Sequence, residues 1–136
     1  YRNDMEGGQT NEFRPLILVA EDDDSNFKLI KAIIGKKCDI QWAKNGEEIV
    51  ALFKEYGKED KAILMDIKMP VMNGLDATKI IREENKEIPI IMQTAYAFSS
   101  DKENAMNAGA SEVLVKPITL SILRGTLTKY FPELVW

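Results

Sequence analysis

The chain has 136 residues, enough for one domain with a full hydrophobic core and little beyond it. Hydrophobic residues make up 45% and charged residues 29%, and the formal net charge of −4 argues against a broad surface for DNA or RNA. The absence of histidine excludes histidine-ligated zinc, a Ser-His-Asp triad and a histidine phosphodonor within this chain.

Residues 1–14 are polar, with Gly, Asn, Gln and mixed charges but no apolar period, and read as a linker or tag remnant ahead of a domain over 15–136. Leu16–Ala20 is a short continuous apolar run, which suits a strand buried on both faces. The acidic cluster Glu21-Asp22-Asp23-Asp24 follows it, and Ser25 is a candidate N-cap. Phe27, Leu29, Ile30, Ile33 and Ile34 then form a helical stripe ending at Gly35. Asp39–Ala43 is a more polar strand, expected nearer a sheet edge. After the turn at Asn45-Gly46, a helix is predicted over Glu47–Tyr56, with Ile49, Val50, Leu52 and Phe53 inward.

Ala62–Met65 is the next apolar strand and delivers Asp66 at its C-terminal end. A loop containing Pro and Gly leads to a helix over Leu75–Glu84, with Leu75, Ile80 and Ile81 on one side. Ile88–Gln93 is a strand ending at Thr94. Ser99 or Ser100 caps a helix to Ala108, closed by Gly109; its apolar face of Ala105, Met106 and Ala108 predicts the least firmly packed helix. Glu112–Val115 is the last strand, ending at Lys116-Pro117, and Leu120, Leu123, Leu127, Tyr130 and Phe131 mark the last helix. Strands alternating with helices imply a parallel sheet covered on both faces.

Cys38, the lone cysteine, forms no internal disulfide and reads as a small buried side chain. No run approaches the ~18 apolar residues of a membrane span. The polar N-terminus lacks a signal-peptide core, so an intracellular setting is expected.

In a parallel α/β sheet, ligands bind beyond the carboxyl ends of the strands. Those ends present Glu21, Asp22 and Asp23, then Asp66, Thr94 and Lys116, while the second strand ends in Lys44-Asn45. Crowded carboxylates repel unless a counter-charge is present, and a hard divalent cation such as Mg²⁺ supplies one through oxygen ligands. A carboxylate nucleophile, a metal, an ammonium and a hydroxyl together suit phosphoryl transfer. The acidic run lacks the spacing of an EF-hand loop.

The segments ILVAEDD, ILMDIKMPVMNG, PIIMQTA and GASEVLVKPI, in this order, resemble the receiver domain of two-component response regulators across about residues 16–131. The resemblance implies a flavodoxin-like, doubly wound sheet of order 2-1-3-4-5 with five helices. It implies that Asp66 is the phosphoacceptor. The metal ligands would be Asp22, Glu21 (usually through water), Asp66 and the carbonyl of Lys68. Thr94 and Lys116 would contact the phosphoryl oxygens, Ala95 would keep access open, and Lys116-Pro117 would be a cis peptide. The implied donor is a phosphohistidine on a histidine kinase or histidine phosphotransfer domain. The implied output is a two-state surface of the fourth helix, last strand and last helix. No direct contact with nucleic acid or membrane is expected, and a weak dimer is a further option.

This sequence departs from the family pattern in having Val113 where an aromatic often sits, and Glu21 where Asp is common. Without the aromatic, a switch has to work through Thr94, the segment near Tyr96 and Phe98, and the helix after it. Tyr96 is expected to shield the acyl phosphate from water. The ending LVKPITLSILRGTLTKYF most resembles receivers fused to hybrid sensor histidine kinases, placed on the cytoplasmic side. The alternatives are a stand-alone response regulator and a structural docking module without phosphorylation.

Overall fold

A computed structural model describes residues 13–57, 59, 61–95 and 100–136. In chain order the elements are β1 (Leu16–Ala20), α1 (Asp24–Ile34), β2 (Asp39–Ala43), α2 (Gly46–Glu55), β3 (Lys61–Asp66), α3 (Gly74–Glu84), β4 (Ile90–Thr94), α4 (Ser100–Ala108), β5 (Glu112–Val115) and α5 (Leu120–Tyr130). The strands pair in parallel in the order β2-β1-β3-β4-β5, as the resemblance implies, and β2 lies at an edge. Alternation along the strands divides the core in two. Leu18, Ile63, Met65 and Met92 face α2, α3 and α4, whose Ile49, Phe53, Ile81 and Ala105 close over them. Ile17, Val19, Leu64 and Ile91 face α1 and α5, covered by Ile34, Leu123 and Leu127. Each fully buried Leu or Ile here contributes about 1.5–3 kcal/mol.

Element ends differ from expectation where capping chemistry decides them. Asp23, not Ser25, caps α1: its side chain accepts from the Asn26 N–H, so Ser25 lies inside the first turn. Gly35 does end α1, but in right-handed conformation. Asn45 and Asn73 cap α2 and α3, each through the N–H three residues on, which starts both helices one residue early. β4 begins at Ile90 rather than Ile88, because Pro89 has no N–H for the ladder. On α4 only Ala105 and Ala108 are buried; Met106, assigned to its inner face, is 48% exposed. Leu29 and Leu120 likewise face outward. The expected roles of Tyr96 and Phe98, and the capping option at Ser99, lie outside the described residues.

The last residues assigned to the linker are part of the folded unit. The Phe13 ring packs on Phe131 with centroids 6.1 Å apart. Arg14 pairs with Asp39 at 3.0 Å and donates to the carbonyls of Lys36 and Cys38. Cys38 is buried and unpaired with any other cysteine, and burial foremost pushes its thiol up to about 11.

Candidate functional site

The carboxyl ends of β1, β3, β4 and β5 converge on one cleft. Asp66 closes β3 and is 7% exposed. Directly behind it, α3 begins at Gly74, whose N–H donates to the Ile67 carbonyl at 2.8 Å. A Cβ on Gly74 would run into the Asp66 backbone oxygen, so only glycine lets the helix start against that strand end. The intervening loop turns at Val71 with φ 68, a conformation that strains a β-branched residue, and so brings the Met72 carbonyl onto the Gly46 N–H at 2.8 Å.

Glu21 follows β1 and is fully buried. Its backbone is fixed on both sides: its N–H donates to Ala43, and its carbonyl accepts from Trp42 Nε1 at 2.8 Å. The Trp42 ring stacks on Phe27, centroids 4.0 Å apart, with the Lys44 ammonium over it at 4.8 Å. Asp22 is exposed at the rim. One carboxylate oxygen from each of Glu21, Asp22 and Asp66 can lie within 4.8 Å of the other two.

Lys116 reaches in just past the end of β5, ahead of a cis Lys116–Pro117 peptide that matches the expectation. Its Nζ lies 3.0 Å from Asp66 Oδ2 and 3.8 Å from Glu21 Oε1. Two carboxylates, Asp66 and Glu21, therefore share the Lys116 ammonium. Burial foremost, and next the facing Asp66 carboxylate, push the Glu21 carboxyl up to about 7, against the pull of the Asp23 N–H and Lys116. Glu21 Oε1 is buried and accepts no hydrogen bond among the described residues. A buried acceptor of that kind, within a hard-oxygen donor set of excess negative charge, fits a hard divalent cation.

Thr94 ends β4, is 3% exposed, and its hydroxyl donates to Asp101 Oδ2 at 3.2 Å. Together with Asp66, Lys68, Ala95 and Lys116, these two residues line a cleft of about 90 Å³. Each sequence-predicted site residue is thus in or beside this cleft. Ala95 is exposed just past the end of β4, and Lys68 is exposed in the loop after β3.

Two polar cleft residues were missed by the sequence reading. Asp101 enters from the first turn of α4. Gln93 pairs in register with Asp66, so both side chains leave the same face of the sheet, and its Nε2 is buried without a hydrogen-bond partner among the described residues. A lone amide directly after the apolar run Ile90–Met92 was the available signal for Gln93. Asp101 had none, because its place depends on how α4 sits on the sheet.

The response regulator receiver domain family model matches residues 17–128. Hybrid signal transduction histidine kinase I of Dictyostelium discoideum is 41% identical over 86% of this chain, and the chain spans only 7% of that protein. The receiver domain of sensor histidine kinase PA1611 from Pseudomonas aeruginosa, solved with magnesium coordinated in its active-site cleft, superposes with a TM-score of 0.79 at 33% identity, covering 88% of this chain and 99% of that one. The receiver domain of Ssk1 from Saccharomyces cerevisiae, solved with the histidine phosphotransfer protein Ypd1, gives a TM-score of 0.79 at 28% identity, with coverage of 90% and 93%. The strand order, the polar rim at the carboxyl ends and the family match agree: this chain belongs to the response regulator receiver domains of two-component phosphorelay signalling.

Proposed function

We propose that Asp66 is the phosphoacceptor, taking a phosphoryl group from a phosphohistidine on a histidine kinase or histidine phosphotransfer domain. The P–N bond to the imidazole breaks as a P–O bond to the Asp66 carboxylate forms. The Lys116 ammonium, 3.0 Å from Asp66 Oδ2, offsets charge on the acceptor and on the incoming group. Thr94 supplies a hydroxyl donor for a phosphoryl oxygen, and Ala95 leaves room for the donor to approach. Glu21, Asp22 and Asp66, with the Lys68 carbonyl, would hold Mg²⁺, which would neutralise charge on the transferring group. Water later cleaves the acyl phosphate. The domain thus promotes phosphorylation and dephosphorylation of its own aspartate and turns over no other substrate.

The observation that carries this reading is the buried Asp66 carboxylate held between an acidic pair and one ammonium. The parent protein is best read as a hybrid sensor histidine kinase, with the receiver over 15–136, Phe13 and Arg14 packed onto it, and a linker before them. Support comes from the kind of protein it resembles and from the small part of that relative it spans. A cytoplasmic position follows from that reading; no helix among the described residues is long and apolar enough to cross a membrane. The Ypd1 complex supports a histidine phosphotransfer protein as one class of partner.

The test is intact mass after incubation with Mg²⁺ and acetyl phosphate. One phosphoryl adduct is expected in the wild-type chain and none in Asp66→Asn. An adduct that survives this substitution overturns the assignment.

A further inference from the structure

The hydroxyl that the phosphoryl group would need is already engaged. Thr94 Oγ1 donates to Asp101 Oδ2 at 3.2 Å, and both residues line the cleft beside Asp66. A threonine has one O–H proton to donate, so bonding to Asp101 and bonding to a phosphoryl oxygen compete. The Asp101 carboxylate also repels a phosphoryl group entering the same cleft. Both effects act in one direction: they oppose phosphorylation while the bond is made, and phosphorylation opposes the bond.

We propose that Asp101 is a positioning residue for the phosphorylation of Asp66: it holds the Thr94 hydroxyl in the unphosphorylated protein and surrenders it to the phosphoryl group, which releases the first turn of α4. The proposal rests on reading Asp66 as the acceptor. The helix is suited to respond at that end. Among its side chains only Ala105 and Ala108 are buried, so little apolar packing holds it down. Its far end is pinned by Arg82, whose Nε donates to the Gly109 carbonyl at 2.8 Å and whose Nη2 donates to Ser111 Oγ at 3.2 Å. No aromatic flip is required. Val113 is half-buried against the same core as α3 and α4 and can stay in place while the helix start moves.

The experiment follows acetyl phosphate labelling of the full chain with Mg²⁺ by intact mass over time. Asp101→Ala removes both acceptor and charge; Asp101→Asn removes the charge and keeps an acceptor. Glu103→Gln removes another charge from the same helical turn, from a residue that does not line the cleft. Asp101→Ala is expected to label about three to ten times faster than wild type, the factor set by one competing hydrogen bond. Asp101→Asn is expected to gain less, and Glu103→Gln to match wild type. The gain of Ala over Asn is expected to vanish in a Thr94→Val background, where there is no hydroxyl to release. A wild-type rate in Asp101→Ala, an equal gain in Glu103→Gln, or a gain undiminished by Thr94→Val overturns the proposal alone. No adduct in the wild-type chain overturns the Asp66 reading and this role with it.

Discussion

Helices α3 and α4 lie side by side over the same face of the sheet, yet they are built differently. α3 buries Ala77, Thr78 and Ile81, carries an Asn73 cap, and starts against the backbone of Asp66. α4 buries two alanines, turns Met106 to solvent, and at its start touches the cleft through Asp101. The first fixes the position of Asp66; the second is cheap to displace. Elements that move in signalling are drawn from the weakly packed end of a structure, and here the weak and strong helices are neighbours across one cleft.

Packing sets the largest expected contrast. Ile81→Ala should cost about 2–5 kcal/mol, since a fully buried side chain leaves a cavity. Met106→Ala should stay within about 0.5 kcal/mol. Urea unfolding of both variants checks this, and equal losses would erase the distinction between the helices.

Next comes the tie between them. Arg82, on α3, donates to the carbonyls of Gly109, Asn85 and Ile88 and to Ser111 Oγ. Arg82→Met should cost about 2–3 kcal/mol through the carbonyls it orphans. It should also speed hydrogen exchange at the C-terminal end of α4. Arg82→Lys should not restore protection, because a lysine cannot span the same forked set of acceptors.

The smallest effect serves as a control away from α4. Glu112 on β5 accepts from Lys129 Nζ at 2.6 Å and Tyr130 Oη at 2.8 Å on α5. Burial alone would raise its carboxyl, but these two bonds outweigh burial and hold it below the usual 4.5. A carboxyl lowered in the folded state stabilises above its unfolded value, and that gain is lost as pH falls through the folded one. Glu112→Gln should therefore cost about 1 kcal/mol at neutral pH. The difference should shrink as pH drops below the ordinary value of 4.5. Exchange in α4 should be unchanged, and thermal melts across pH check the rest.

Much of this arrangement is legible in the amino-acid sequence alone. Continuous apolar runs end abruptly in Glu21, Asp66, Thr94 and Lys116, and a parallel sheet gathers such ends by topology alone. Misreadings came where a single local choice decides. Asp23 outcompeted Ser25 as a cap because its carboxylate reaches the Asn26 N–H. Met106 was grouped with Ala105 and Ala108, although a step of one residue turns it about 100° away from Ala105. Asp101 was illegible for a different reason: its bond to Thr94 depends on the tilt of a helix whose own sequence carries little amphipathic signal.

The tilted packing of Phe13 against Phe131 also bears on how such a unit is strung into longer polypeptides. The strands run toward the cleft and α5 runs back, so both rings sit at the amino ends of the strands, remote from Asp66. The chain ahead of Phe13 and the last turn of α5 therefore share one end of the sheet, and Leu134 and Trp136 fold back on α5 beyond it. A fusion partner attached ahead of Phe13 would leave the cleft mouth clear.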